Sequence, residues 1–591
     1  MKKKDLRSKE WFDNPKDPGL TALYLERYLN YGLKREDLQS GKPIIGIAQS
    51  GSDLSPCNRH FQALSNVIKD GIREAGGVPM EFPTHPIQET GKRPTAGLDR
   101  NLSYLSLVEV LYGYPIDGVI LTTGCDKTTP AALMAAATVN IPSIVLSGGP
   151  MLDGTYKGKK AGSGTIIWEA RRLHAKGEIS YEEFMDMAAA SAPSIGHCNT
   201  MGTASSMNSI AEALGMSLTG GAIIPAPYKE RESISFKTGK RIVEMVHEDL
   251  TPSKIMTKKA FENAIYVASA IGASSNCPPH LTAIARHMGI DFGIDNWEKL
   301  GHDIPLLVNC QPAGEYLMEG FFKAGGIPAI MQELMKNNKL HKDLMTVTGK
   351  TIAENLIEKI DIDENIIKSF KNPLVNNAGF IVMKSNFFNS AVMKTSVISS
   401  EFRKRYLSNP TSLNLFEANA VVFEGPEDYH LRINDESLNI DENSILMIRG
   451  CGPVGYPGSA EVVNMQPPDK LLKQGINTLP TLGDGRQSGT SESPSILNVS
   501  PESAIGGSLL IVETGDKIKI DLNNSRIDLM ISSEEIEKRR KKVKIPKLEN
   551  QTPWQEISRK MVGQLETGAC LETETLYLDI TNTKGMPRHS H

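Results

Sequence analysis

The sequence predicts an α/β protein in two parts: a doubly wound, mainly parallel sheet domain over residues 1–377, then a β-barrel-like domain over residues 378–591. Three observations carry this. In the first half, short β-rich runs alternate with helix-length segments, the grammar of βαβ units and of a parallel sheet covered by helices on both faces. A polar, charged stretch from about Asn337 to Asn377 interrupts that rhythm. Beyond it, strand-like runs separated by turn residues replace the alternation.

Taken in order, the strand runs of the first half are Pro43–Gln49, Gly77–Pro83, Asp117–Thr123 and Pro142–Ser147. Between the first two, Phe61, Leu64, Val67, Ile68 and Ile72 recur at helical spacing, and Gly76 with Gly77 supply the stop. After the third run a helix is expected to start near Pro130, and in such sheets ligands bind beyond the carboxyl ends of the strands. In the second half "AVVFEG", "SILMIRG", "SLLIVETGDKIKIDL" and "RIDLMIS" read as strands. Lys517 to Leu522 alternate polar and apolar, and "NNSR" supplies turn chemistry.

Several function classes are excluded early. A chain of 591 residues with a formal charge of -4 and both signs interspersed gives no argument for nucleic acid, so small molecules are the expected ligands. The basic start "MKKKDLRSKEWFDNP" lacks the apolar stretch of a secretion signal. The longest apolar candidate, Ala131 to Leu146, is broken by Asn140 and Pro142, so no membrane association is expected. Seven cysteines are too few and too odd in number for a disulfide framework, which points to a reducing, cytoplasmic compartment. The basic run "KRRKKVK" at Lys538 to Lys544 follows Glu534, Glu535 and Glu537, as on a solvated helix. The terminal "RHSH" reads as a frayed tail.

Chemistry concentrates at "LTTGCDKTTPAALMAAATV", residues Leu121 to Val139, where Cys125, Asp126 and Lys127 stand together between a strand and a helix. Cys57 and Cys198 occupy matching places, polar loops with glycine that lead into helices. Backbone N–H groups and the positive end of a helix favour a thiolate there, the form that binds iron. Three thiolates instead of four leave a cluster iron one open position. Cys277, Cys310, Cys451 and Cys570 lack that setting and read as small core residues. His197 reads as a loop histidine bonded to nearby backbone; His60 and His85 carry no signal alone.

These residues resemble a known family, the dehydratases of dihydroxy acids, 6-phosphogluconate and sugar acids. The resemblance rests on "PCNRH", "TTGCDKTTPA", "GHCNTMGTASSMN", "GPVGYPGSAEVVNM" and "GDGRQSGTSESPSILNVSPESAIGG" and runs nearly end to end, nearest to the pentonate branch. It implies a hydro-lyase carrying a [2Fe-2S] cluster on Cys57, Cys125 and Cys198, although three cysteines also suit a [4Fe-4S] centre. It implies Mg²⁺ on Glu89, Asp126, Glu461 and a carbamylated Lys127, with Ser488 as base and Thr490 assisting. Lys127 as a plain ammonium, paired with Asp126 or gripping a substrate carboxylate, stays open beside the carbamate. A homodimer or homotetramer is implied as well. The expected reaction removes water from a 2,3-dihydroxy acid: the C2 proton leaves for Ser488, the C3 hydroxyl departs, and the enol becomes a 2-keto-3-deoxy acid.

Two other classes compete. "ILMIRGCGPVG" places Gly450, Gly452 and Gly455 in a GxGxxG pattern that would suit an NAD-linked oxidoreductase. Pro453 and Pro457 oppose an immediate helix, so the run reads instead as the turn that delivers Glu461. A non-catalytic module binding a sugar acid or an iron-sulfur centre is the third reading.

Overall fold

The computed structural model describes residues 5–30 and 32–589. The first four residues of the basic N-terminus, and Ser590 and His591 of the terminal "RHSH", lie outside them. The expected parallel sheet is present as β1 (Ile44–Gln49), β2 (Val78–Pro83), β3 (Gly118–Thr123) and β4 (Ser143–Ser147), in the order β2-β1-β3-β4. All three pairings are parallel. Strands β1, β3 and β4 are buried along their whole length, which is why they read as continuous apolar runs.

Helix Phe61–Glu74 follows β1 and packs with helix Lys229–Glu248 on one face. Helices Gly97–Gly113 and Thr128–Val139 pack together on the other, as right-handed crossovers require when the strand order reverses after β1 and β2. Every residue of Thr128–Val139 is buried, and the helix ends at Asn140 in the left-handed region, φ 57°. Further helices, Thr203–Ala213, Lys258–Ala270, Cys277–His287 and Gly326–Lys336, join the same apolar core. The polar stretch Asn337–Asn377 folds onto it too, burying Val347, Ile352, Ile366 and Ile367. Thr155–Tyr156 (β5) and Lys159–Lys160 (β6) make a small hairpin.

The second sheet has eight strands: β7 (Phe380–Met383), β8 (Ser390–Lys394), β9 (Leu415–Phe423), β10 (Ser444–Ile448), β11 (Thr481–Gly483), β12 (Ser495–Ser500), β13 (Lys517–Asp521) and β14 (Arg526–Leu529). Their order is β14-β13-β9-β10-β11-β12-β8-β7. Lys384 N–H donates to Ser525 O at 2.9 Å, and Ile527 N–H to Lys384 O at 3.0 Å, so the two edges nearly close a barrel. Side chains alternate along β10: Ile445 and Met447 enter one apolar cluster, Leu446 and Ile448 another.

Two details differ from the sequence reading. The middle of the second sheet, β9 to β12, is parallel, where an all-β unit was expected. The run "SLLIVETGDKIKIDL" contributes only β13; Ser508–Ile511 is a 3₁₀ helix, because a short apolar run buries equally well in either form. Among the described residues no helix is long and apolar enough to cross a membrane.

The last residues leave the barrel and return to the first sheet's helices. Trp554 Nε1 donates to Leu98 O at 3.0 Å, Asn101 Nδ2 to Ala569 O at 2.9 Å, and Thr581 Oγ1 to Val139 O at 2.6 Å. On the way, Arg559 Nε donates to Val454 O at 2.8 Å and Gln564 Nε2 to Glu502 Oε1 at 2.9 Å.

Candidate active site between the two sheets

The loops at the carboxyl ends of β1, β2 and β3 bring Cys57, Glu89 and Cys125 to one rim of the first sheet. The segment before helix Thr203–Ala213 adds Cys198. From the second sheet, the loop after β10 supplies Glu461 and the loop after β11 supplies Ser488 and Thr490. All of them, with Asp126, line one cavity of about 1040 Å³. Lys127, fully buried, lies behind it against Glu89.

The turn Cys125–Lys127 is fixed from both sides. Cys125 N–H donates to Asn58 Oδ1 at 2.9 Å, while Thr128 Oγ1 donates to Cys125 O at 2.7 Å. Cys57 and Cys125 touch through their thiols; this contact is the main cause lowering the Cys57 thiol and raising that of Cys125. Burial, then the charge of Cys57, pushes the Cys198 thiol up to about 12. Gln88 Nε2 donates to Cys57 Sγ at 3.3 Å and Glu89 N–H to Cys125 Sγ at 3.4 Å. Three gathered sulfurs, two of them accepting N–H donors, fit an iron-bound thiolate set, which needs a cation to hold buried thiolates ionised. His197 is turned away: its Nδ1–H donates to Cys198 O at 3.0 Å, as the sequence reading expected of a loop histidine.

Glu89, Asp126 and Glu461 place carboxylate oxygens within 4.8 Å of one another. Lys127 Nζ stands 2.9 Å from Glu89 Oε2 and 4.0 Å from Asp126 Oδ2. This ion pair is buried, and neither Nζ nor Oε2 has a further hydrogen-bond partner. Burial drives the Glu461 carboxyl up to about 7, with the charge of Glu89 adding to it. Burial raises Asp126 too. Burial also opposes ionisation of Glu89, but the Lys127 and Arg486 charges together outweigh it and hold this carboxyl low. An all-oxygen carboxylate set fits a hard divalent cation, and a fully buried lysine amine beside those carboxylates fits conversion to a carbamate oxygen ligand.

Sequence reasoning missed the residues that join the halves. Arg486 donates to Glu461 Oε1 at 3.0 Å and to Glu89 Oε1 at 3.4 Å. Asn276 Nδ2 reaches Glu461 Oε1 at 2.6 Å, Thr203 Oγ1 at 2.9 Å and Gln487 O at 3.2 Å. Arg486 stands in a quoted stretch, two residues before Ser488, but nothing local marks it as a bridge. Ser488 Oγ lies 2.9 Å from Thr490 Oγ1, and Ser488 N–H donates to Asn464 Oδ1 at 3.0 Å. Gly489 between them must lack a side chain, since a Cβ would stand 2.7 Å from Thr203 N and from Ser274 Oγ.

The glycine run Gly450 to Gly455 leads into turns, with no helix after it. Its N–H groups are already engaged: Gly450 and Cys451 donate to Asp484, and Val454 and Gly455 to Glu502. A dinucleotide phosphate would meet carboxylates there. Cys277, Cys310, Cys451 and Cys570 are buried, as expected of core residues.

A sulfur triad and a carboxylate cluster that meet at one cavity, shared between a doubly wound sheet and a barrel, mark an enzyme site, and the comparisons name its class. The family described as dihydroxy-acid/6-phosphogluconate dehydratase matches this chain with its N-terminal part at residues 42–355 and its C-terminal part at 365–569. The chain belongs to that family. D-xylonate dehydratase of Caulobacter vibrioides is 60% identical over 99% of this chain and 98% of its own. L-arabinonate dehydratase of Rhizobium leguminosarum bv. trifolii is 44% identical over 91% and 92%. Dihydroxy-acid dehydratase of Acetivibrio thermocellus is 34% identical over 92% and 96%.

Proposed function

We propose that this protein removes water from a pentonate, D-xylonate in first place and L-arabinonate as the alternative, to give the 2-keto-3-deoxy acid. The observation that carries the reading is the meeting of Cys57, Cys125, Cys198, Glu89, Asp126, Glu461 and Ser488 at one cavity. The order of substrates rests on likeness to the two pentonate dehydratases.

In this reading Cys57, Cys125 and Cys198 hold a [2Fe-2S] cluster, and Glu89, Asp126, Glu461 and carbamylated Lys127 hold Mg²⁺. Bound there, the two groups supply Lewis acidity toward the hydroxyl and carboxylate oxygens of a polyol acid. The chain's own residues do the rest. Arg486 and Asn276 fix Glu461 against the first half, so that the substrate meets one prearranged set of oxygens. Ser488, as its alkoxide, takes the C2 proton as the C3–O bond breaks; the departing hydroxide receives one proton in return, so water leaves with no net change in protons, and the enol formed between C2 and C3 tautomerises to the ketone. A serine is a weak base, so its alkoxide must be stabilised by nearby donors. Thr490 offers two, its hydroxyl at 2.9 Å and its N–H at 3.4 Å from Ser488 Oγ.

The test is Ser488→Ala, assayed with D-xylonate, L-arabinonate and D-gluconate for 2-keto-3-deoxy product. The variant keeps its iron and sulfide and loses turnover by at least about 10²-fold, the scale of a general base. Activity like the wild type removes Ser488 as the base. No product from any aldonate, with iron and sulfide present, removes the dehydratase reading.

A further inference from the structure

One hydrogen bond at the base is not explained by the reaction. The indole Nε1–H of Trp168 donates to Thr490 Oγ1 at 3.1 Å. An indole nitrogen is a donor only, so the direction of this bond is fixed. The Ser488–Thr490 pair, 2.9 Å apart, is by itself ambiguous, since either hydroxyl could donate to the other. The indole occupies one lone pair of Thr490 and fixes where Oγ1 sits; once Ser488 has lost its proton it can only accept, so the Thr490 O–H is then the donor of the pair.

We infer that Trp168 is a positioning residue that acts through Thr490, holding its Oγ1 where the hydroxyl can donate to Ser488 Oγ and support its alkoxide. This rests on the reading of Ser488 as the base. Hydrogen bonds to an ionised acceptor are roughly twice as strong as those to a neutral one, so a donor locked onto Ser488 Oγ favours loss of the serine proton. The Thr490 N–H, 3.4 Å away, points the same way.

The surrounding structure keeps Trp168 at this post. It sits in the first turn of helix Thr165–Lys176, whose N-cap Gly164 has φ +82°. A Cβ on Gly164 would stand 2.4 Å from Thr490 Oγ1, so glycine lets the helix start directly against the threonine. Outside, the Arg171 guanidinium lies 4.7 Å from the centre of the indole ring. A residue serving only as an aromatic wall of the cavity needs no N–H aimed at a hydroxyl.

Trp168→Phe keeps the wall and removes the N–H. On D-xylonate it lowers kcat about 3- to 10-fold, the size of one neutral hydrogen bond, with KM changed less than about twofold. The limb of the pH profile on which kcat rises moves upward by about half a unit to one unit. In a Thr490→Val background the same substitution changes kcat by less than about twofold, because the intermediary is gone. A second measurement uses the protein as purified, labelled with ¹⁵N at its four tryptophans. The indole resonance lost in Trp168→Phe shifts in Thr490→Val. Equal losses from Trp168→Phe in both backgrounds, or an indole resonance unmoved by Thr490→Val, overturn the inference alone. Wild-type turnover by Ser488→Ala overturns the base and with it the role of Trp168, even while the indole still reports its bond.

Discussion

Replacing Gly164 with alanine puts one methyl group into the contact that seats Thr490. The new Cβ would stand 2.4 Å from Thr490 Oγ1 and 2.7 Å from its Cβ and Cγ2. Carbon atoms rest at about 3.5–4.0 Å, so one side must give way by about 1 Å. Thr490 is buried and bonded to both Ser488 Oγ and Trp168 Nε1, so it cannot retreat without disturbing those contacts. A shift of that size breaks the 2.9 Å contact with Ser488, and a misplacement of about 1 Å costs on the order of 10²-fold in rate. The positive φ adds backbone strain of its own, on the order of the 1–2 kcal/mol of a left-handed residue or more. Gly177 separates the two effects: it ends the same helix with φ +76°, and a Cβ there meets nothing within 4 Å. Both Gly164→Ala and Gly177→Ala should lower the thermal midpoint, and only Gly164→Ala should lose kcat, by about 10²-fold, in the keto-acid assay. Wild-type kcat in Gly164→Ala, or an equal loss in Gly177→Ala, would refute the steric argument.

Two further outcomes are expected. Burial raises the Glu574 carboxyl to about 8 from its ordinary 4.5, so its contribution to stability is full below about pH 4.5 and is lost as pH rises through 8. Thermal midpoints of the wild type should therefore fall, relative to Glu574→Gln, between pH 5 and 8.5, reflecting about 3–5 kcal/mol; parallel curves would show that Glu574 does not titrate in this way. Iron analysis after anaerobic purification should find Cys198→Ser depleted and Cys451→Ala loaded, because only the first sulfur faces the cavity. Equal iron in both would break the link between the three loops.

The first sheet was legible because buried parallel strands are continuous apolar runs and helix Phe61–Glu74 keeps a regular period. The parallel centre of the barrel was not. Parallel neighbours need a crossover, and those after β9 and β10 are long loops holding the short helices Pro426–Arg432 and Asp469–Lys473 and the 3₁₀ turn Glu436–Leu438, which leave little periodic signal. The three loop cysteines could be singled out by their matching settings, whereas the roles of Glu89, Glu461 and Ser488 came through resemblance. Contacts across the cavity lay beyond local pattern altogether. Trp168 and Thr490 are 322 residues apart, and Asn276 and Glu461 are 185 apart. No spacing rule connects such pairs; only the folded chain does.

The closing segment, from Trp554 to Thr581, has a mechanical consequence. It grips the glycine-rich turn of the barrel with Arg559 and the helices of the other half with Trp554 and Thr581. The polypeptide is thus a belt buckled on itself: prising the two sheets apart requires breaking these bonds as well as those at the cavity. A deletion of this segment, remote in sequence from Cys57, Cys125 and Cys198, would loosen the very seam across which Arg486 holds its two glutamates.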